Sequence, residues 1–127
     1  MFKLDGLDHV ALTVRDVARS ATWYQDVLGL ERAHEDVWGD IPTFVVSGNS
    51  GLALFPVEGS DPKPPPGSDT IMIRHVAFRA SRTNFEEAQE ELRRRNIKFE
   101  CQDHVIAHSI YFHDPDGHEI EITTYEL

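Results

Sequence analysis

Two histidines, two glutamates and a tyrosine are the residues of this chain whose types and spacing offer chemistry. His9 opens the tetrapeptide His9-Val10-Ala11-Leu12, and His75 opens its echo, His75-Val76-Ala77-Phe78, at an offset of 66 residues. Side chains alternate along a strand, so Val10, Leu12 and Val14 share one face while His9, Ala11 and Thr13 share the other. The second copy keeps that parity, with Val76, Phe78 and Ala80 set against His75, Ala77 and Arg79. Near the end, Ile120 and Ile122 take an apolar face and leave Glu119 and Glu121 opposite, and Tyr111 lies opposite Ile110 and Phe112. Two imidazoles and one carboxylate from separate strands make a three-point metal site with positions open for water and substrate. A divalent ion held there polarises a carbonyl or stabilises a developing oxyanion, and suits a substrate with two adjacent oxygens. Parity alone admits either Glu119 or Glu121 as the carboxylate.

The elements that must position these groups repeat as well. After the first strand, Asp16 caps a helix with apolar positions Val17, Ala21, Tyr24, Val27 and Leu28, stopped by Gly29. After the second, Thr83-Asn84-Phe85-Glu86 has capping-box spacing and opens a helix that turns Phe85, Ala88 and Leu92 inward and ends near Asn96. Strand-forming runs follow each helix: 31–33, 42–46 and 52–57, then 98–101, 109–113 and 119–125. The last two are joined by a type I turn with Pro115 second and Gly117 fourth. Each half therefore reads βαβββ. The predicted fold is α+β, two such modules (about 5–58 and 70–127) forming a curved mixed sheet around a metal cleft. Between them a linker, 59–69, holds Pro62, Pro64, Pro65 and Pro66 and is stiff and extended.

Composition narrows the class. A chain of 127 residues is one domain. With 22 Asp and Glu against 12 Lys and Arg the net charge is -10, which repels phosphate backbones and anionic lipid, so neither nucleic acid nor membrane is an expected partner. Cys101 is the lone cysteine, which excludes an intrachain disulfide or a thiolate cluster and suits a reducing cytoplasm. No apolar run reaches the length of a membrane span, and the first residues lack a signal peptide's apolar stretch.

The strand Asp8-His9-Val10-Ala11-Leu12-Thr13-Val14 with Trp23-Tyr24 and Leu28-Gly29, and His75-Val76-Ala77-Phe78 with the run Ser109-Ile110-Tyr111-Phe112-His113-Asp114-Pro115-Asp116-Gly117-His118-Glu119-Ile120-Glu121, resemble the vicinal oxygen chelate superfamily. That superfamily includes glyoxalase I, extradiol dioxygenases, fosfomycin-resistance proteins and bleomycin-resistance proteins. The resemblance spans essentially the whole chain. It implies paired βαβββ modules, a divalent ion (Fe2+, Mn2+, Ni2+ or Zn2+) on His9, His75 and Glu121, and a homodimer whose sites combine modules from two chains. It thereby selects Glu121 over Glu119. The departures are informative. The offset of 66 places Phe55 where Glu121 sits in the other module, so the fourth ligand of glyoxalase I is missing. Ala11 stands where fosfomycin-thiol transferases carry a threonine.

The expected activity is Lewis-acid stabilisation of an oxyanion or enolate on a small oxygen-chelating metabolite, by lyase, isomerase or epoxide-opening chemistry. The alternatives are a ring-cleaving Fe(II) dioxygenase of extradiol type and a binding protein that sequesters a drug without turnover. Tyr111 and Glu119 are the candidate proton-handling residues, and Tyr111, Arg79 and His108 the candidate substrate contacts, Arg79 for a carboxylate. His104 is a second loop histidine within reach, while His34, His113 and His118 read as loop and turn residues. The Arg93-Arg94-Arg95 run offsets a helix dipole and needs no ligand.

Overall fold

The computed structural model describes all residues, Met1–Leu127. It divides into two compact units, Met1–Pro62 and Lys63–Leu127. The boundary falls inside the proline-rich stretch.

The first unit runs β1 (His9–Val14), α1 (Val17–Leu28), β2 (Glu31–Ala33), α2 (Glu35–Trp38), β3 (Thr43–Ser47) and β4 (Ser50–Pro56). Helix α1 begins where the Asp16 carboxylate accepts from the Arg19 amide at 3.0 Å. It ends at Gly29, whose φ of 67° lets its amide turn back to the Gln25 carbonyl. The strands lie in the order β1-β4-β3-β2, with β4 parallel to β1 and antiparallel to β3. Leu12, Val45, Leu52 and Leu54 share the face that α1 covers with Ala21 and Tyr24, and all are buried. His9, Ala11, Ala53 and Phe44 share the other face. The stretch after Ala33, read as a loop, winds into the single turn α2, with His34 ahead of it at a φ of 61°.

The second unit repeats the plan with β5 (Val76–Arg79), α3 (Arg82–Arg94), β6 (Glu100–Asp103), β7 (His108–His113) and β8 (Glu119–Thr124), in the order β5-β8-β7-β6. Both units are thus α+β with a four-stranded mixed sheet and one long helix. Phe85 and Leu92 of α3 and Ile110, Phe112, Ile120 and Ile122 of the sheet are buried. The cap of α3 is Ser81 rather than Thr83: its hydroxyl accepts from the Asn84 amide at 3.2 Å and its carbonyl from the Phe85 amide at 2.8 Å. Ser81 is the first hydroxyl after β5 ends, so the chain closes its first turn there and Thr83 becomes part of that turn. The turn between β7 and β8 forms as expected, with Gly117 donating to the Asp114 carbonyl at 3.1 Å. The buried Asp114 carboxylate holds it by accepting from the Asp116 and His118 amides, both at 2.9 Å.

Register corrects one equivalence. Ala77 of β5 lies opposite Glu121, and Ala11 of β1, at the matching place, lies opposite Ala53. The counterpart of Glu121 is therefore Ala53, not Phe55, because the second unit takes two more residues between its first and last strands than a constant offset allows. Neither alanine nor phenylalanine ligates a metal.

Gly51, facing His9 across β1 and β4, has no room for a side chain: a Cβ there would lie 2.6 Å from the Val45 carbonyl oxygen and 2.7 Å from Val46 Cγ1. Gly51→Ala should lower stability by about 1–3 kcal/mol through overpacking, read as a shift in the urea midpoint with the slope unchanged. No helix is long and apolar enough to cross a membrane.

Candidate metal and substrate site

The open face of the second unit assembles most of the chemistry. Along it, register aligns Ala77, Glu121, Tyr111 and Glu100 in one row and Arg79, Thr123, Ser109 and Gln102 in the next. His75 stands one residue ahead of β5, where its Nε2 meets Glu121 Oε1 at 2.8 Å. Its Nδ1 lies 3.3 Å from Glu119 Oε1. The other oxygen of Glu121 accepts from the Ser109 hydroxyl at 2.7 Å. Glu121 is only 8% exposed. A carboxylate so far from water needs compensation, and here an imidazole and a hydroxyl supply it.

Tyr111 completes this face. Its ring meets His75 edge-on with centroids 5.6 Å apart, and its Oη lies 2.9 Å from His104 Nε2. Burial, then the charge of Glu121 and a hydrogen bond to it, raise the Tyr111 pKa above the ordinary phenol value. The phenol therefore keeps its proton at neutral pH.

On the first unit, His9 projects from β1 with Nδ1 2.7 Å from Asp8 Oδ2. Its ring meets Phe44 edge-on at 5.0 Å. The α2 turn adds Trp38 and His34, whose rings lie 5.2 and 5.4 Å from that of Phe44. An aromatic wall thus stands beside the imidazole.

The structure brings His75, Glu119, Glu121 and Tyr111 of the expected residues together, and sets His9 on the corresponding face of the other unit. Arg79 is on the same face as Glu121, but its guanidinium lies over the Tyr125 ring, 4.8 Å from the centroid. His108, three residues before Tyr111 on β7, takes the opposite, helix-covered face, with Nδ1 2.9 Å from an Arg82 guanidinium nitrogen and Nε2 3.7 Å from Asp103. Of the two loop histidines, His104 is the one that reaches Tyr111. Ser109 escaped sequence reading although it precedes Tyr111 by two, the spacing that puts two residues on one strand face. Asp8 and the aromatic wall also escaped it: Asp8 precedes the first strand, and the wall depends on a turn not predicted.

An imidazole nitrogen and a carboxylate oxygen converging at 2.8 Å are a donor pair that suits borderline divalent ions such as Fe2+, Mn2+, Ni2+ and Zn2+. Neither unit gathers three His, Cys, Asp or Glu side chains around one point. The second unit by itself offers two donors, one imidazole and one carboxylate.

Comparison with known proteins gives an independent view. The family model described as the Glyoxalase/Bleomycin resistance protein/Dioxygenase superfamily matches residues 6–122. The glutathione transferase FosA of Serratia marcescens is 29% identical over 119 residues, covering 94% of this chain and 80% of that protein. The metallothiol transferase FosB of Staphylococcus epidermidis is 30% identical over 128 residues, covering 98% and 86%. Among solved structures, a glyoxalase/dioxygenase from Nostoc punctiforme matches with a TM-score of 0.78 at 26% identity, covering 94% of this chain and 90% of that one.

Proposed function

Because the chain belongs to the Glyoxalase/Bleomycin resistance protein/Dioxygenase superfamily, we propose that it is a divalent-metal enzyme that chelates a small oxygen-rich electrophile and opens it with a thiol. The observation that carries this reading is the His75–Glu121 pair, an imidazole and a buried carboxylate 2.8 Å apart on an open sheet face. The similarity to a glutathione transferase and a metallothiol transferase supports a thiol as the second substrate.

His75 and Glu121 would hold the ion with His9 as third ligand, His9 coming from a second copy of the chain in a homodimer. When bound, the metal supplies Lewis acidity that lowers the free energy of negative charge on a substrate oxygen. The sulfur–carbon bond forms as the carbon–oxygen bond breaks, and the departing oxygen takes a proton. Tyr111, whose ring meets that of His75 edge-on at 5.6 Å, would donate it. Phe44 and Trp38 beside His9 would pack the apolar part of the substrate.

Mixing two inactive variants tests the arrangement. His9→Ala and His75→Ala homodimers should each fail to bind Mn(II) while keeping their circular dichroism spectra. In mixed dimers one site is intact and one doubly damaged, so about one Mn(II) per mixed dimer should return, with thiol consumption against a panel of small epoxides. Mixed dimers that stay metal-free would place the three ligands elsewhere, and full metal binding without thiol consumption would leave a sequestering protein. The pairing of Tyr111 with Glu121 across β7 and β8 also suits a ring-cleaving Fe(II) oxygenase. Oxygen uptake with catechols after anaerobic Fe(II) loading would select that reaction.

A further inference from the structure

Each of the three residues assigned to the metal has two possible ligand atoms, and in each the structure engages one of them with a group outside the three. His9 Nδ1 faces Asp8 Oδ2 at 2.7 Å. His75 Nδ1 faces Glu119 Oε1 at 3.3 Å. Glu121 Oε2 accepts from Ser109 Oγ at 2.7 Å. The remaining atoms are His9 Nε2, His75 Nε2 and Glu121 Oε1, the last two paired with each other at 2.8 Å, a contact that a bound ion would replace.

Resting on the reading above, we propose that Asp8, Glu119 and Ser109 are positioning residues that select Nε2 of both histidines and Oε1 of Glu121 as the ligand atoms. A neutral imidazole carries one proton, and a carboxylate at Nδ1 holds it there, which leaves the Nε2 lone pair for a cation and fixes the ring's rotation. The same partner makes the imidazole a stronger donor. Ser109 acts on the carboxylate in the same sense. It is 1% exposed, and with its one proton on Glu121 its oxygen accepts from the Thr123 hydroxyl 2.9 Å away, which lies farther, at 3.3 Å, from the His108 carbonyl. A buried hydroxyl braced in this way holds one oxygen of Glu121 and turns the other outward. Glu119 therefore acts through His75 rather than on the substrate, although it shares the face of Glu121. Each unit brings its own device: the acid immediately precedes the histidine in β1, and lies on β8, beside β5, for His75.

The test uses the full-length protein loaded with Co(II), whose paramagnetism shifts the imidazole N–H protons of ligands far downfield in the proton NMR spectrum. The expected wild-type spectrum shows two exchangeable shifted resonances, one per Nδ1–H. Asp8→Ala and Glu119→Ala should each remove or broaden one of them and weaken Co(II) binding by about 10- to 100-fold. Asp8→Asn and Glu119→Gln, which keep an acceptor oxygen, should restore the resonance and most of the affinity, as a purely structural role would not. Ser109→Ala should weaken binding by a similar factor and leave both resonances in place. Asp8 is exposed, so its substitution leaves the fold intact and remains decisive even where Ser109→Ala unfolds the second unit. Alanine variants that bind Co(II) within about twofold of wild type, with unchanged resonances, would overturn the positioning roles and leave the metal site standing. A wild-type protein that binds no Co(II), or a His75→Ala variant that binds it normally, would instead remove the reading on which they rest.

Discussion

Glu121→Gln is expected to abolish divalent-metal binding while leaving the protein folded. The substitution keeps the shape of the side chain and an oxygen for Ser109 to reach, but removes the negative charge that meets His75 at 2.8 Å. An amide oxygen is a far weaker ligand for a hard or borderline cation than a carboxylate. Mn(II) affinity should fall by about 100-fold or more, close to 3 kcal/mol at 1.4 kcal/mol per decade, and turnover should fall with it. Glu119→Gln, two residues away on the same face, should retain most of the affinity. The pair of variants thus separates the two glutamates that strand parity leaves equivalent. Calorimetric titration of both with Mn(II) is the measurement, and equal losses in the two would refute the assignment of Glu121 as the ligand.

Phe112→Ala should produce the largest loss of stability. Phe112 is 1% exposed on the helix-covered face of β7, between Tyr111 and His113 on the open face. Removing a buried aromatic ring leaves a cavity that a four-stranded sheet under one helix fills poorly, and the expected loss is about 3–5 kcal/mol. Tyr111→Phe, one residue earlier, should lower stability by less than about 1 kcal/mol, since it deletes only a hydroxyl on a partly exposed side chain and leaves the ring in place. Urea unfolding of both variants measures the contrast. A Phe112→Ala variant as stable as Tyr111→Phe would mean that β7 is shifted by one residue, which exchanges the two faces.

Much of the fold was legible because it is encoded locally. The period-two pattern around His9 and His75 needs only steric alternation along a strand, and the β1 and β5 faces follow it. Asp16 and Gly29 bound α1 for reasons confined to one turn of helix, and Pro115 with Gly117 shape a turn over four residues. Legibility failed where two candidates satisfied the same local rule. Ser81 and Thr83 are both competent caps, and the end of β5 decides between them. His104 and His108 both precede Tyr111, and pairing with β8 turns His108 toward Arg82 while the loop brings His104 to the phenol. A constant repeat offset named Phe55 as the partner of Glu121, whereas hydrogen-bond register between neighbouring strands names Ala53.

Residue types and their alternation were enough to identify the imidazoles, the carboxylates and the phenol and to assign each to a strand face, because a strand has only two faces. Which atoms of those groups remain available was decided in three dimensions. Asp8 at His9 Nδ1, Glu119 at His75 Nδ1 and Ser109 at Glu121 Oε2 are contacts at 2.7, 3.3 and 2.7 Å, and two of the three join strands or strand ends distant in sequence. Hydrogen bonds act over such distances only, so their pairing belongs to the folded chain.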